Sequence, residues 1–357
     1  MIFEGKSILV SGGTGSLGKT LVRRILSGEL GTPGKVIVLS RDEAKQHDMR
    51  MSYLNRRAAT DEVIYSNFSR ALTFRIGDVR DFGDVCSAVK EADVVVNAAA
   101  LKQVPSCEYF PGQAVLTNCL GAMNIVRAIR ENGYPVRDVV GVSTDKAAKP
   151  VNVMGMTKAL QERIFTSANL LTPETRFICV RYGNVLASRG SVVPLFHDQI
   201  ASGGPVTVTV PEMTRFLLSL DRAVDTIFAA LRGAERGEIY VPRAPSATIM
   251  NIAKVLVGER AIPIQVTGIR PGEKMDEIMV SEEESFHTVA RGEYFAILPI
   301  LPELRTSAQD QEPRPLTKEF SSADNVLDLE ATRTLLAEHG LLYQVGRIPR
   351  SGEEMLA

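Results

Sequence analysis

The chain has 357 residues, enough for one large domain and a smaller one. Its hydrophobic share of 45% and its charged share of 23% are typical of an ordinary soluble globular protein. The 41 basic and 42 acidic side chains almost cancel, which excludes a global field that would attract nucleic acid or an anionic membrane. Any anionic ligand must therefore be held by local groups.

Six short, apolar and mostly β-branched runs alternate with helical patterns in the first half of the chain, at residues 7–10, 35–39, 72–76, 93–96, 138–142 and 177–180. Each run is nearly continuous, which is the pattern of strands buried on both faces. The sequence therefore predicts an α/β fold with a doubly wound parallel sheet.

The alternation loosens after about residue 184. The elements predicted beyond it are a strand, two helices and an exposed polar connection, at residues 205–210, 221–232, 328–339 and 305–319. We predict a large domain over residues 1–184 and, over residues 185–357, mainly a smaller C-terminal α/β lobe. The chain of this second part can cross back to the large domain.

Three spaced glycines, Gly12, Gly15 and Gly18, directly follow the first predicted strand and open a helix. Glycines at this spacing let the backbone turn tightly and approach a pyrophosphate, which the free N–H groups and the dipole of the helix N-terminus favour. A glycine turn without a ligand is the alternative. The strand, turn and helix context favours a Rossmann-type dinucleotide-binding loop.

The end of the second predicted strand distinguishes the two nicotinamide dinucleotides. An acidic residue there would accept hydrogen bonds from the ribose of NAD, whereas cations would meet the additional phosphate of NADP. Ser40, Arg41 and Lys45 favour NADP, which we predict. Asp42 is the counter-argument, although it also suits the first turn of a helix. Asp78, at the end of the third strand, either accepts from the adenine amino group or caps a turn.

Asp145 and Lys146 form an acid–base pair at the C-terminal end of a predicted sheet strand, near the expected nicotinamide site. The alternative is a surface ion pair of little consequence. Lys158 follows Met154 by four residues, so their side chains share one face of a helix. Met154 cannot exchange a proton, and we interpret it as a packing residue of that helix.

Further segments carry a resemblance to a known family: NAAA at 97–100, ALKQVP at 100–105, STDKA at 143–147, RYGN at 181–184, MTRF at 213–216 and RPGEK at 270–274. With them, the chain resembles the extended short-chain dehydrogenase/reductase superfamily over almost its whole length. Within it, the chain is similar to the polysaccharide-biosynthesis branch of nucleotide-linked N-acetylglucosamine 4,6-dehydratases. Many relatives have tyrosine where this chain has Met154, and a subset of the branch has methionine.

The resemblance implies a reaction that uses NADP without net oxidation. Hydride leaves C4 of the sugar, water is lost across C5 and C6, and the hydride returns to C6. The implied substrate is UDP-N-acetylglucosamine and the product a UDP-4-keto-6-deoxy-N-acetylhexosamine, in glycan precursor synthesis. Whether the configuration at C5 is retained or inverted stays open.

The resemblance also implies roles for the acid–base residues. Asp145 protonates the departing 6-hydroxyl, Lys146 takes the C5 proton, and Thr144 donates a hydrogen bond to the 4-oxygen. Because Met154 is chemically silent, the 4-hydroxyl proton must pass through Thr144, the Asp145–Lys146 pair or a water, while Lys158 mainly holds the nicotinamide ribose. We expect burial and nearby positive charge to lower the pKa of Lys146 by about three units from roughly 10.4.

The binding residues follow from the same resemblance. The cofactor contacts are expected from Gly12, Thr14, Gly15, Ser16, Leu17, Gly18, Ser40, Arg41, Lys45, Asp78, Val79, Ala98, Ala99 and Lys158. The substrate contacts are expected from Lys102, Asn184, Arg215, Arg270 and Glu273. Arginine suits a diphosphate and a carboxylate suits ribose hydroxyls, although each residue alone could be a surface charge.

Other readings remain open. A 4-epimerase would use the same reversible hydride transfer without elimination, and the same dehydration could act on a GDP-linked sugar. A chain without catalytic activity could instead serve as an NADP-responsive scaffold. The histidines and the four cysteines lack metal-ligand spacing, so we predict no metal, and a reducing cytoplasm fits the cysteines best. We further predict no nucleic-acid or membrane partner and, from the resemblance, a homo-oligomer.

Overall fold

The computed structural model describes residues 1–54, 62–186, 191–269 and 272–343. The strands are β1 (Ser7–Ser11), β2 (Lys35–Ser40), β3 (Leu72–Ile76), β4 (Val94–Asn97), β5 (Asp138–Val142), β6 (Arg176–Val180), β7 (Val206–Val208), β8 (Thr214–Phe216), β9 (Ile239–Pro242), β10 (Ser246–Thr248), β11 (Ile264–Val266), β12 (Ile278–Val280), β13 (Thr288–Arg291), β14 (Tyr294–Ile297), β15 (Phe320–Ser321) and β16 (Val326–Leu327).

The α-helices are α1 (Ser16–Leu26), α2 (Glu43–Leu54), α3 (Glu62–Ala71), α4 (Phe82–Val89), α5 (Val104–Tyr109), α6 (Pro111–Ala114), α7 (Gly121–Asn132), α8 (Val153–Leu171), α9 (Val192–Ala201), α10 (Leu220–Gly233), α11 (Ile249–Val257), α12 (Glu282–Ser285), α13 (Ser307–Gln311) and α14 (Leu329–Glu338). A π-helix, Val115–Leu120, runs directly into α7, and a short 3-10 turn, Asp145–Ala147, follows β5.

Nine strands form the central sheet, in the order β13-β14-β9-β6-β5-β4-β1-β2-β3. The seven strands from β9 to β3 are parallel, and β14 and β13 extend one edge in antiparallel pairing. All four residues of β4 are buried: its three valines pack on both faces of a covered sheet, and Asn97 Oδ1 accepts a hydrogen bond from Ser11 Oγ at 2.6 Å. The predicted α/β fold with a doubly wound, Rossmann-type sheet is confirmed.

The second half of the chain contributes both to this sheet and to separate small sheets. Strands β9, β13 and β14 belong to the central sheet, whereas the others pair as β16-β10-β8, β11-β7 and β12-β15. A second apolar core, which includes Val193, Phe196 and Leu256, lies among α9, α11 and α14. The division at residue 184 stays a prediction.

The topology brings three loops to one edge of the central sheet. The glycine loop follows β1, Ala98 and Ala99 follow β4, and Thr144 follows β5, and these three strands are neighbours. β1 and β4 flank the point at which the strand order reverses, where ligands bind in open α/β sheets. Within the described ranges, no helix combines the length and the apolar character needed to cross a bilayer.

Candidate active site

A cleft of about 780 Å³ opens at this edge of the sheet. Of the site residues predicted from the sequence, Arg270 lies outside the described residues. All the others line the cleft, from the glycine loop at one end to Arg215 and Glu273 at the other. The cleft thus brings together segments from both halves of the chain, while the individual roles stay predictions.

The glycine loop closes tightly against the turn that follows β4. Gly12 has a φ of +67°, and a Cβ at this position would lie 2.7 Å from the backbone nitrogen of Ala99. A Cβ at Gly18 would lie 2.5 Å from the carbonyl oxygen of Gly12, and Gly15 is the N-cap residue of α1. Side chains are therefore sterically excluded at Gly12 and Gly18, and the start of α1 is free to face a pyrophosphate, so the loop fits a dinucleotide.

The rim beyond β2 carries charges of both signs. The Ser40 hydroxyl lies 2.8 Å from that of Thr14 inside the loop. Arg41 Nη1 lies 3.5 Å from Asp78 Oδ2 and is 54% exposed. Lys45 Nζ lies 2.9 Å from an oxygen of Asp42. Each cation thus has a carboxylate neighbour but keeps solvent-facing donors.

The acid–base pair lies in the short turn after β5. Thr144 Oγ1 donates to Asp145 Oδ1 at 2.8 Å, and Lys146 Nζ lies 3.1 Å from the same oxygen. Asp145 is only 1% exposed, so the surface-pair alternative is wrong. The start of α8 packs directly on this turn, because a Cβ at Gly155 would overlap the carbonyl oxygen of Lys146.

A third charged residue, Glu277, completes this cluster and was missed from the sequence. Its Oε1 lies 2.8 Å from Lys146 Nζ and 3.7 Å from Arg215 Nε. Glu277 directly precedes β12, which packs against the turn that carries Asp145 and Lys146. The residue follows the RPGEK segment, but no local pattern distinguishes it from a surface acid.

The cluster corrects the expected direction of the Lys146 pKa shift. Burial lowers the pKa of the ammonium, but the negative charges of Asp145 and Glu277 outweigh it and raise the pKa above its ordinary value. Burial raises the pKa of the Asp145 carboxyl. For Glu277, burial acts in the same direction, but Lys146 and Arg215 lower the pKa overall. Both shifts favour a Lys146 ammonium that faces a Glu277 carboxylate.

The pKa of another lysine in the cleft, Lys158, is shifted in the opposite direction. Burial lowers the pKa of this lysine to about 8. Its Nζ donates to the carbonyl oxygen of Val142 at 2.5 Å and to Gln161 Oε1 at 2.7 Å. Met154, one turn earlier, packs with Cys107 and Ala114 and is 4% exposed, in agreement with its interpretation as a packing residue.

In the part of the chain that the structure describes, the substrate end of the cleft has a fixed cation, Arg215, and an unsatisfied acceptor, Asn184 Oδ1. Arg215 donates from Nη1 to the carbonyl oxygens of Thr214 and Met275 at 2.6 and 3.1 Å, and it is buried rather than a surface charge. Within the described ranges, Asn184 Oδ1 is buried without a hydrogen-bond partner, an arrangement that favours a ligand donor there. A second cavity of about 190 Å³ shares Asn184, Arg215 and Glu273 with the main cleft.

The described ranges contain no cluster of three or more His, Cys, Asp or Glu side chains that could hold a metal ion. The chemistry that the cleft itself offers is proton transfer between Asp145, Lys146 and Glu277, beside a loop that fits a dinucleotide.

Comparison with known proteins assigns the family. Residues 8–299 match the polysaccharide biosynthesis protein family. A UDP-glucose 4-epimerase from Rickettsia bellii (strain OSU 85-389) is 42% identical over 301 residues, which cover 83% of this chain and 84% of the relative. A UDP-N-acetylglucosamine 4,6-dehydratase (inverting) from Campylobacter jejuni subsp. jejuni serotype O:23/36 (strain 81-176) is 41% identical over 301 residues, 84% of each chain.

Among solved structures, Pen from Bacillus thuringiensis superposes with a TM-score of 0.83 at 33% identity, covering 96% of this chain and all of that one. The relatives are thus named for two different reactions on nucleotide-linked sugars. The chain belongs to the polysaccharide biosynthesis protein family, within the extended short-chain dehydrogenase/reductases, and is a nucleotide-sugar-modifying enzyme.

Proposed function

We propose that this protein is a UDP-N-acetylglucosamine 4,6-dehydratase that uses NADP. The observation that carries the proposal is the pair of a buried Asp145 and a Lys146 that is 20% exposed, which lines the same cleft as the glycine loop and Lys158. Elimination of water across C5 and C6 requires both a base for the C5 proton and an acid for the departing hydroxyl. An adjacent carboxyl and amine, withdrawn from solvent, meet both requirements.

NADP, when bound in the glycine loop, supplies the hydride acceptor and donor. Lys158 orients its nicotinamide ribose, Lys146 takes the C5 proton, and Asp145 gives a proton to the departing 6-hydroxyl. Burial supports the acid role, since a raised pKa makes the Asp145 carboxyl easier to protonate before it gives that proton to the leaving group. Thr144 holds the 4-oxygen through its hydroxyl group.

The choice of NADP over NAD rests on the rim of the cleft. Arg41 and Lys45 both line it and keep solvent-facing donors, and Arg41 is more than half exposed. A phosphate on the ribose would compete for these donors with the carboxylates of Asp78 and Asp42, through charge-assisted hydrogen bonds. The neighbouring acids weaken this preference without reversing it, because Arg41 has five N–H donors and its contact with Asp78 is made by one nitrogen, Nη1.

The substrate end supports a nucleotide-linked sugar. Arg215 and Glu273 line both the main cleft and the smaller cavity, so a ligand that fills both would pass these two side chains. The buried, unpartnered oxygen of Asn184 lies at the same junction. We propose that the smaller cavity takes the nucleoside and the main cleft takes the hexose, with Lys102 beside its diphosphate.

A 4-epimerase is the second candidate, favoured by the relatives of that name at about the same identity as the dehydratase. Epimerisation at C4 requires neither a C5 base nor an acid for a leaving group. It would give the Asp145–Lys146–Glu277 cluster no role in the reaction, although burial of the Asp145 and Glu277 carboxylates beside Lys146 carries a desolvation cost.

The deciding experiment incubates the purified protein with NADP and, separately, with UDP-N-acetylglucosamine, UDP-glucose and GDP-linked N-acetylglucosamine. Mass spectrometry detects the loss of water, and proton NMR detects the C6 methyl group of a 4-keto-6-deoxy sugar. We expect dehydration of UDP-N-acetylglucosamine. A C4 epimer of unchanged mass would replace the proposal by the second candidate, and no product from any sugar would refute both.

We also propose a cytoplasmic homo-oligomer. The supporting observation is a set of exposed apolar side chains on α7 and α8, Met123, Met156 and Leu160, each about half exposed. Apolar side chains clustered on outward helix faces are typical of protein–protein contacts. Sedimentation of the purified protein tests the assembly state.

A further inference from the structure

Glu277 is held rigidly although it lies at the start of a short strand. Its backbone N–H donates to Ser322 Oγ at 2.9 Å, and its carbonyl oxygen accepts from the Ser322 N–H at 2.8 Å. Both residues are almost fully buried. Two hydrogen bonds of its backbone therefore hold Glu277 in place, so that the position of the carboxylate beside Lys146 does not depend on the ion pair alone.

The two oxygens of this carboxylate have different surroundings. Oε1 contacts the Lys146 ammonium at 2.8 Å and the Arg215 guanidinium at 3.7 Å. Among the side chains that the structure describes, Oε2 is buried without any hydrogen-bond partner, and so is Asp145 Oδ2. Glu277 itself lines the main cleft. A buried carboxylate that lies next to an ammonium, and that has one oxygen without a hydrogen-bond partner, can accept a proton without rearranging its neighbours.

The proposed function leaves a gap that this geometry fills. Lys146 is assigned as the C5 base, yet two carboxylates, from Asp145 and Glu277, face its Nζ within 3.1 Å and favour the ammonium. An ammonium has no lone pair with which to take a proton. Another group in the cleft must therefore first accept a proton from Lys146. Among the described carboxylates, the oxygen nearest to Lys146 Nζ is Glu277 Oε1, at 2.8 Å.

We propose that Glu277 stores the proton that Lys146 must lose before it acts as a base, so that the two side chains form one proton-accepting unit. This inference rests on the proposed function of Lys146. The ammonium passes one proton to Glu277, which leaves a neutral amine and a neutral carboxylic acid. The amine then takes the C5 proton and becomes an ammonium again. Protonated Asp145 gives one proton to the departing 6-hydroxyl. When the hydride returns to C6, the Lys146 ammonium returns its proton to C5 and takes the stored proton back from Glu277, so both side chains regain their starting charges.

The first test is the pH dependence of kcat/KM for dehydration, compared between the unchanged enzyme and Glu277→Gln. The charges that face the pair are Asp145 and Arg215 around Lys146, and Arg215 and Lys274 around Glu277. In the unchanged enzyme the transfer is internal, so kcat/KM stays flat between about pH 6 and pH 8. In Glu277→Gln the amine must lose its proton to solvent, so kcat/KM falls about tenfold for each pH unit below the new Lys146 pKa.

A structural role for Glu277 would lower kcat/KM by the same factor at every pH, and parallel profiles would overturn the inference. Glu277→Asp, which keeps the charge, should keep the flat profile at a reduced rate even if Glu277→Gln folds poorly. Glu319→Gln is the matched control, since it removes a carboxylate from the exposed pair with Lys149, and its profile should equal that of the unchanged enzyme.

The second test does not depend on turnover. Acetic anhydride labelling of Lys146, followed across pH by peptide mass spectrometry, reports the fraction of neutral amine. We expect its midpoint to fall by about 1–3 pH units in Glu277→Gln, and an unchanged midpoint would overturn the inference. If the unchanged enzyme dehydrates no nucleotide sugar, the proposed function fails, whereas the labelling midpoint still decides whether Glu277 controls the Lys146 proton.

Discussion

Removing the Lys146 ammonium should abolish activity and also lower the free energy of unfolding, because two buried carboxyls lose their nearest cation. In the intact protein this cation is shared by Asp145 and Glu277, at 3.1 and 2.8 Å. Lys146→Ala leaves both carboxyls buried without it. We expect no measurable dehydration, and NADP binding within a few-fold of the unchanged protein, because the glycine loop is untouched.

The stability change can be worked from the burial of the cluster. The side chains of Asp145 and Glu277 are 1% and 3% exposed, so both carboxyls lose their nearest cation while they stay largely shielded from solvent. Removing one partner of such a buried pair costs about 3–5 kcal/mol of unfolding free energy. Because Arg215 remains 3.7 Å from Glu277, we expect the larger part of the loss at Asp145.

The loss should depend on pH with a definite sign. Burial already raises the pKa of folded Asp145, and loss of the neighbouring cation raises it further. A carboxyl with a raised folded pKa contributes stability that is present below its unfolded pKa, about 3.9, and is lost as pH rises through the folded pKa. The deficit of Lys146→Ala against the unchanged protein should therefore grow from about pH 4 upward.

The assay is denaturant unfolding at several pH values, together with product detection by NMR. Adding Glu277→Gln to Lys146→Ala should restore part of the stability at neutral pH but none of the turnover. Lys149→Ala is the control, because the side chains of Lys149 and Glu319 are 37% and 32% exposed, so that loss of this pair should change stability little at any pH. Wild-type turnover by Lys146→Ala, or a deficit that does not change with pH, would refute the reasoning.

Three further predictions concern the rest of the cleft. Met154→Ala should keep its turnover within a few-fold, because the methionine packs but moves no proton, and its free energy of unfolding should fall by about 2–5 kcal/mol. A loss of turnover as large as that of Lys146→Ala would refute this. Gly12→Ala should abolish NADPH binding in a fluorescence titration, since its Cβ would lie 2.7 Å from Ala99 N, whereas Gly112→Ala, where a Cβ meets nothing within 4 Å, should bind normally. Arg41→Ala should weaken NADPH binding about tenfold and leave NADH binding unchanged; equal loss for both cofactors in isothermal titration would contradict the NADP assignment.

The first half of the fold could be predicted because its signal is local. Continuous apolar runs mark β1 to β6 to within one residue at each end, since strands covered on both faces need no polar alternation. The addition of β9, β13 and β14 to the same sheet could not be predicted in this way. Their partners lie far along the chain, and the pairing of β14 with β9 depends on register that a single sequence does not display.

The candidate site could likewise be predicted only where its residues are close together in the sequence. Thr144, Asp145 and Lys146 are consecutive, so the sequence alone brings them together, and their position after a strand indicates a cleft. Glu277 reaches them only because β12 packs against their turn. The expected sign of the Lys146 pKa shift was wrong for this reason: the expectation included burial and nearby positive charge but not the Glu277 carboxylate.

The hydrogen bonds of the turn also bear on how a chain with methionine at position 154 handles the 4-hydroxyl proton. The sequence offered Thr144 and the Asp145–Lys146 pair as separate routes for this proton. In the structure, Thr144 Oγ1 donates to Asp145 Oδ1 at 2.8 Å, so the two groups are hydrogen-bonded neighbours on one route. In the proposed reaction, a proton that the 4-hydroxyl gives to Thr144 displaces the threonine proton onto Asp145. Burial raises the pKa of that carboxyl, which favours its uptake. Asp145 then holds the proton that the departing 6-hydroxyl needs, so one carboxyl serves both steps and a tyrosine is not required.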